Sequence, residues 1–154
     1  MKPDGIPPGP TCPIALDLMD ETAGRISALL SMGLVLLSAW RGWDLVVLAL
    51  AADFALRALG RSAFSPVARA AELVRQLLGV PVRRVNAGPK RFAASVGCLF
   101  SLGAGLALLT GLRSLGLGLA VILGTCAGLE AFFGFCLACR IHPWLPWTAA
   151  RAGR

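Results

Sequence analysis

Four long stretches of the chain contain almost no charged residues, and this feature limits the possible folds more than any other. They cover residues 23–40, 43–60, 92–112 and 115–139. A helix needs about 20 largely apolar residues to cross a hydrocarbon layer of about 30 Å. Only 15% of the 154 residues are charged, whereas soluble domains average about 25%. The sequence therefore predicts an integral membrane protein.

Short polar breaks join these stretches in pairs. Arg41-Gly42 separates the first two stretches, and Arg113-Ser114 separates the last two. We expect an all-α fold with four transmembrane helices in two tight hairpins. The predicted organisation is a Pro-rich arm over residues 1–22, one membrane domain over residues 23–142, and a basic tail over residues 143–154.

One segment between the second and third spans has the pattern of a surface helix. Ser65-Pro66 is a helix cap followed by proline at the first helical position. After it, apolar positions such as Val67 and Ala71 alternate at helical spacing with charged positions such as Arg69 and Glu72. The segment is too short and too charged to cross a bilayer. It predicts an amphipathic helix over residues 66–78, lying on the membrane surface.

The basic residues are distributed very unevenly between the two sides of the predicted membrane domain. Arg41 and Arg113 are at one side, and the other thirteen of the fifteen are at the opposite side. Positive charge is retained on the cytoplasmic side, so both termini are predicted to be cytoplasmic. No base-stacking aromatic residues interleave the basic stretch, which favours anionic lipids as partners and argues against nucleic acid. Lys90, Arg91 and Arg140 are the candidate contacts for lipid headgroups or other anions.

Three charged residues interrupt the apolar stretches away from their first residues. Asp53 and Arg57 are four residues apart, a spacing that favours an ion pair on one helix face. Glu130 has no such partner and, in a span that reaches Cys139, would lie about 13 Å from the cytoplasmic end. Charges inside a membrane pair or face a wet cavity. Two interpretations stay open, a structural pin from Glu130 to Arg57 or Arg91, and a polar path through the membrane.

Two thiols with CxxC spacing, Cys136 and Cys139, end the last predicted span, and Cys12 is on the same side of the membrane. Such a pair is suited to a disulfide, a sulfur atom or a soft metal. At the end of a helix the dipole opposes the thiolate, so Arg140 and His142 would have to compensate. Plain packing of small apolar cysteines is the competing interpretation. No tight four-ligand spacing is present, and no metal site is predicted.

Small residues recur every four positions in the last two stretches. They are Gly97, Ser101 and Gly105 in the third, and Gly116, Ala120, Gly124 and Gly128 in the fourth. Small residues at this spacing let helix backbones approach closely in a membrane. They predict packing seams within the monomer or, alternatively, a homodimer interface.

Several segments together resemble a known family. They are Cys12-Pro13-Ile14-Ala15-Leu16-Asp17, Asp53-Phe54-Ala55-Leu56-Arg57 with Ser65-Pro66, Pro89-Lys90-Arg91-Phe92-Ala93-Ala94, and Glu130 to Cys139. From about Cys12 to Pro143 the chain resembles the bacterial four-helix membrane proteins catalogued as domain of unknown function 4395. The resemblance implies a multi-pass protein of the bacterial cytoplasmic membrane. It also implies an association with sulfurtransferase or thioredoxin-like proteins. Ala138 departs from the glycine that is more usual there.

The leading hypothesis is a small membrane protein of sulfur or thiol-redox handling. In it Cys136 and Cys139 relay sulfur or disulfide equivalents, with Cys12 as a third thiol. One alternative is a permease for an anionic sulfur compound or a soft metal ion, with Asp53, Arg57 and Glu130 lining the path, in a homodimer because four short spans enclose little volume. Another is a scaffold without chemistry that docks a soluble sulfurtransferase or thioredoxin-like protein. The sequence leaves the cofactor unknown, and it contains no Gly-rich nucleotide-binding loop.

Overall fold

The computed structural model describes residues 18–136, and five α-helices dominate this part of the chain. They are α1 (Glu21–Arg41), α2 (Asp44–Ala58), α3 (Pro66–Leu77), α4 (Ala87–Leu109) and α5 (Arg113–Phe133). A single 3-10 turn, Ser62–Phe64, precedes α3. The strands β1 (Leu18–Asp20) and β2 (Arg84–Asn86) pair antiparallel just before α1 and α4. The predicted tail and most of the predicted arm lie outside the described residues.

Three of the helices, α1, α4 and α5, are long and apolar enough to cross a membrane. They identify a multi-pass membrane protein. The predicted second span corresponds to α2, which has only 15 residues and is therefore about 22 Å long. It stops at Ala58 because Gly60, with φ +74°, turns the chain away. Four complete spans are thus not confirmed.

The four longer helices form a ring in which α1 packs on α5, α5 on α4, α4 on α2, and α2 on α1. Gly124 faces Val35 of α1, and Gly97 faces Phe54 of α2. The centre of the ring is filled by Val35, Val47, Leu50, Ala104, Ala120 and Leu123. Many large apolar side chains, including Leu36, Leu99 and Val121, point outwards. This surface fits contact with lipid.

Most of the predicted small-residue seams are packing contacts within the monomer. A methyl group at Gly105 would lie 2.6 Å from Leu48 of α2. At Gly116 it would lie 2.6 Å from Leu108 and 3.1 Å from the Ala104 carbonyl oxygen, both on α4. Inside a bilayer no hydrophobic driving force favours helix association, so helices associate through close packing. These glycines permit that close approach. The homodimer stays a prediction.

Two helix ends differ from the sequence-based bounds by more than one helical turn, and both differences change the position of charged residues relative to a helix end. The third span was expected to begin at residue 92, but α4 begins at Ala87 and contains Lys90 and Arg91 in its first turns. The last span was expected to continue to about 139, but α5 ends at Phe133 because Gly134 adopts a left-handed conformation, with φ +63°. Cys136 is therefore beyond the helix, and Glu130 is about 4.5 Å from its end rather than 13 Å.

A pair of glycines on α5 gives a matched test of this packing. We expect Gly116→Ala to destabilise the protein by about 1–3 kcal/mol, because the new methyl group overpacks the contact with α4. A methyl group added at Gly118 would have nothing within 4 Å, so Gly118→Ala should be neutral or stabilise by up to about 1 kcal/mol through helix propensity. Thermal unfolding in one detergent measures both. Equal midpoints for the two variants would contradict the packing.

Candidate functional site

Ionisable side chains from all four bundle helices gather at one end of the molecule. They are Arg25 on α1, Arg57 on α2, Lys90 on α4 and Glu130 on α5, and we call them the charge cluster. Each lies within about one turn of its helix end, where α1 and α4 begin and α2 and α5 finish. The cluster is therefore at one end of the helix bundle and not at its middle.

Arg57 is the most extensively bonded member of the charge cluster. Its Nη2 forms the predicted ion pair with Asp53, at 2.7 Å from Oδ2. The guanidinium also donates to the hydroxyl oxygens of Ser27 at 3.1 Å and Ser31 at 3.4 Å, both on α1. It stacks on the ring of Phe54, 4.5 Å from its centroid. Arg57 thus joins α2 to α1.

The partner carboxylate, Asp53, holds the beginning of α3. Its Oδ1 accepts hydrogen bonds from the Ser65 hydroxyl at 2.6 Å and from the Val67 amide at 3.1 Å. The Ser65 oxygen in turn accepts from the Ala68 amide at 3.0 Å and caps the helix. This bears out the predicted cap. Asp53 thus anchors α3 in addition to forming the ion pair that the sequence predicts, and its place in a polar path stays a prediction.

Arg75 fixes α3 near its other end. Its Nε lies 3.0 Å from Oδ2 of Asp20, the residue that caps α1, and its Nη1 donates to the Val80 carbonyl at 2.9 Å. Hydrogen bonds from the same guanidinium hold the pKa of Glu72 below its ordinary value. The surface helix is therefore attached to the bundle at both ends.

Glu130 and Lys90 lie within electrostatic range of each other but form no ion pair. Glu130 lies within electrostatic range of Lys90, Arg57 and Arg25. Within residues 18–136 it makes neither an ion pair nor a side-chain hydrogen bond, and the same is true of Lys90. The Lys90 ammonium is pressed against Gly24 of α1. Glu130 is thus near Arg57 but forms no ion pair with it. The Arg91 guanidinium, the other partner considered for Glu130, lies against Gly60.

The sequence missed Arg25 as a site residue. Its Nη2 is 3.2 Å from Glu21, one turn earlier in α1, and the guanidinium also lies against Gly134 at the end of α5. The spacing of four residues between Glu21 and Arg25 was a visible signal for the first contact. Nothing local in the sequence indicates the second contact, which depends on α1 and α5 being neighbours.

Cys136 is disulfide-bonded and half-buried, two residues after the glycine that ends α5. The other described cysteines, Cys98 and Cys126, are free thiols within the spans. The predicted partners Cys12 and Cys139, together with Arg140 and His142, lie outside the described residues. In the part of the chain that is described, no three His, Cys, Asp or Glu side chains come together as metal ligands.

A known protein family matches the part of the chain that contains the charge cluster and Cys136. The family described as Domain of unknown function (DUF4395) matches residues 19–146. The chain belongs to this family. The resemblance inferred from the sequence is therefore confirmed, and the DUF4395 region contains the entire charge cluster and both cysteines of the CxxC pair. Neither curated proteins nor solved structures gave a match.

The anchor between α2 and α3 can be tested by removing its carboxylate. We expect Asp53→Ala to cost about 3–5 kcal/mol, because it leaves the Arg57 charge buried and unpaired. Ser65→Ala should cost about 1–2 kcal/mol through loss of the cap. Hydrogen exchange at the Val67 and Ala68 amides should accelerate in both variants.

Asp44 at the start of α2 provides the matched control. Its carboxylate is in the first turn of the same helix, so Asp44→Ala should cost about 0.3–1 kcal/mol through the helix dipole alone. It should leave amide exchange in α3 unchanged. The anchor would be contradicted if the Val67 amide exchanged at the same rate in Asp53→Ala and in Asp44→Ala.

Proposed function

We propose that this protein handles thiol-redox equivalents at the membrane, and that Cys136 exchanges its disulfide with a soluble dithiol protein of thioredoxin-like or sulfurtransferase type. The supporting observation is the disulfide bond of Cys136 at the end of the bundle that carries the charge cluster. Cys136 follows the end of α5 and is half-buried. A partner can approach a sulfur at this position more readily than the Cys98 or Cys126 thiols within the spans.

The exchange needs no external oxidant beyond the two reacting pairs. A thiolate of the partner attacks one sulfur of the Cys136 disulfide, forms a mixed disulfide and releases the other sulfur as a thiolate. The partner's second thiolate then attacks the mixed disulfide and releases the second sulfur. The partner dithiol gives up two electrons and two protons, and the disulfide receives both. The step is reversible, and the reduction potentials of the two pairs set its direction.

The charge around Cys136 supports this role. The Arg25 guanidinium lies against Gly134, two residues before Cys136. A nearby cation stabilises a thiolate, whereas the carboxyl end of a helix opposes it. Arg25 offsets the effect of the α5 terminus. In this proposal the charge cluster faces the cytoplasm of a bacterial cell, because Arg41 and Arg113 are at the opposite end of the bundle.

Thiol labelling of the full-length protein in nanodiscs tests the exchange. In a series of reduced and oxidised dithiothreitol ratios, we expect Cys136 to pass from protected to alkylated in one two-electron transition. Cys98 and Cys126 should be labelled independently of the ratio. A thioredoxin lacking its second cysteine should trap a mixed disulfide with the wild type.

Matched variants decide the outcome of that experiment. Cys98→Ser and Cys126→Ser should still form the trapped complex, and Cys136→Ser should form much less of it. If Cys136 is alkylated as a free thiol in oxidising buffer, or if Cys136→Ser is trapped as well as the wild type, the exchange proposal is wrong.

A second candidate is a permease for a small anionic sulfur compound, and the charge cluster is the observation that favours it. All four bundle helices contribute to the cluster at one level. In liposomes we expect thiosulfate flux, and we expect Arg57→Gln and Glu130→Gln to reduce it towards that of protein-free vesicles. The exposed Arg69 supplies the control, Arg69→Gln. Equal flux in all variants would count against a permease.

A further inference from the structure

Several N–H donors of the charge cluster have no acceptor in the described part of the protein. The Nε groups of Arg25 and Arg57 are buried without a hydrogen-bond partner. The Lys90 ammonium, which carries three donors, makes no hydrogen bond to residues 18–136. The Glu130 carboxylate is the acceptor nearby that none of them uses. The cluster therefore has a surplus of donors, and such a surplus suits a ligand rich in negatively charged oxygen atoms.

The charges of the cluster divide into pairs. Arg57 is neutralised by Asp53, at 2.7 Å, and Arg25 by Glu21, at 3.2 Å. Lys90 and Glu130 remain, close enough to interact but without an ion pair between them. Both are half-buried, and a buried charge is costly unless it is paired and hydrogen-bonded. Lys90 and Glu130 are thus the members of the cluster whose charges are open to exchange with a ligand or a proton.

We propose that Arg25, Arg57 and Lys90 bind a small oxyanion, and that Glu130 takes up one proton for each anion bound. When Glu130 is ionised it serves as the counter-ion of the cationic groups. When it is protonated, those groups are free to bind an anion in its place. With a monovalent anion the proton leaves the net charge of the cluster unchanged, whereas with a divalent anion such as sulfate one proton offsets half of the added negative charge.

The groups that face Glu130 come from every helix around it. They are Arg25 on α1, Arg57 with Asp53 on α2, and Lys90 on α4, and Glu21 and Asp20 lie farther off near Lys90. Because the cluster is in the terminal turns of the helices, a ligand can reach it from one membrane face without crossing the bundle. The site requires neither disulfide exchange nor transport, and binding can be measured in the absence of both.

Calorimetry of the full-length protein in phosphatidylcholine nanodiscs, with sodium sulfate as the probe, tests the proposal. We expect sulfate to bind more tightly as the pH falls, by about tenfold per pH unit where one proton is taken up per anion. Titration in two buffers of different ionisation enthalpy gives the number of protons directly. A wild type that binds no sulfate, or binds it with the same affinity at every pH, would overturn the proposal.

Variants separate the roles of the two central residues. Glu130→Gln mimics the protonated carboxyl and should bind sulfate tightly without pH dependence. Lys90→Gln should lose most of the affinity, and Lys90→Arg should keep much of it. The exposed Arg69→Gln and the thiol variant Cys136→Ser should match the wild type, which separates this site from the disulfide proposal. If Lys90→Gln does not fold, a Glu130→Gln variant that keeps the pH dependence of the wild type still disproves the coupling.

The same oxyanion chemistry occurs in free anions and in lipid headgroups. Replacing part of the phosphatidylcholine with phosphatidylglycerol distinguishes the two sources. Competition between phosphatidylglycerol and sulfate that persists in Glu130→Gln and disappears in Lys90→Gln would assign the site to a headgroup phosphate. Unchanged sulfate affinity would assign it to a free oxyanion. Competition of equal size in Arg69→Gln and Lys90→Gln, with sulfate affinity equal in both, would place the binding elsewhere on the surface and overturn the proposal.

Discussion

The buried ion pair between Asp53 and Arg57 is the interaction on which the arrangement of this bundle depends. Two charges removed from water are stable together only when further hydrogen bonds satisfy the donors and acceptors that the ion pair does not use. Here one carboxylate oxygen binds the first turn of α3, and the guanidinium reaches two hydroxyl groups on α1. The residues that stabilise the pair therefore lie on other helices. A local contact within α2 becomes the junction of three helices.

This junction also explains how a helix as short as α2 can belong to the bundle. The chain turns at Gly60 and returns, so that Ser65 contacts Asp53, five residues before the end of α2. The beginning of α3 lies beside the last turns of α2 rather than beyond them. Asp53 accepts from the Val67 amide and Ser65 accepts from the Ala68 amide, so two of the first amides of α3 are satisfied beside α2. Helix α3 is consequently an integral part of the fold.

Features that depend on neighbouring residues in the chain could be predicted from the sequence. The apolar stretches, the Gly42 turn, the Ser65 cap and the Asp53–Arg57 pair all have local signals, and the structure contains them. Helix ends were less predictable because hydropathy marks apolar residues, whereas a helix ends where backbone hydrogen bonds stop. Lys90 is polar yet helical, and Phe135 is apolar yet follows the Gly134 cap.

Contacts between helices had no such signal. Ser27 and Ser31 look like ordinary small residues of an apolar span until α2 places Arg57 beside them. The short ribbon of β1 and β2 has three residues in each strand, too few for an alternating pattern to be recognised. The neighbours of Glu130 depend on the order of the helices around the ring, which hydrophobicity alone does not specify. The sequence therefore marks Arg57 and Glu130 as costly residues of apolar spans, but it does not indicate that Arg25 and Lys90 join them in one site.

The position of Arg25 has a consequence for how the two proposals would act together. Its guanidinium is within electrostatic range of Glu130 and lies against Gly134, at the end of α5 that leads to Cys136. Reduction of the disulfide would create a thiolate near this guanidinium. An added negative charge repels an oxyanion and attracts a proton by similar amounts at similar distances. For a monovalent anion that enters with a proton, the two effects largely cancel, whereas an anion that entered alone would be driven out. Coupling to Glu130 would therefore make the binding of a monovalent anion insensitive to the redox state of Cys136.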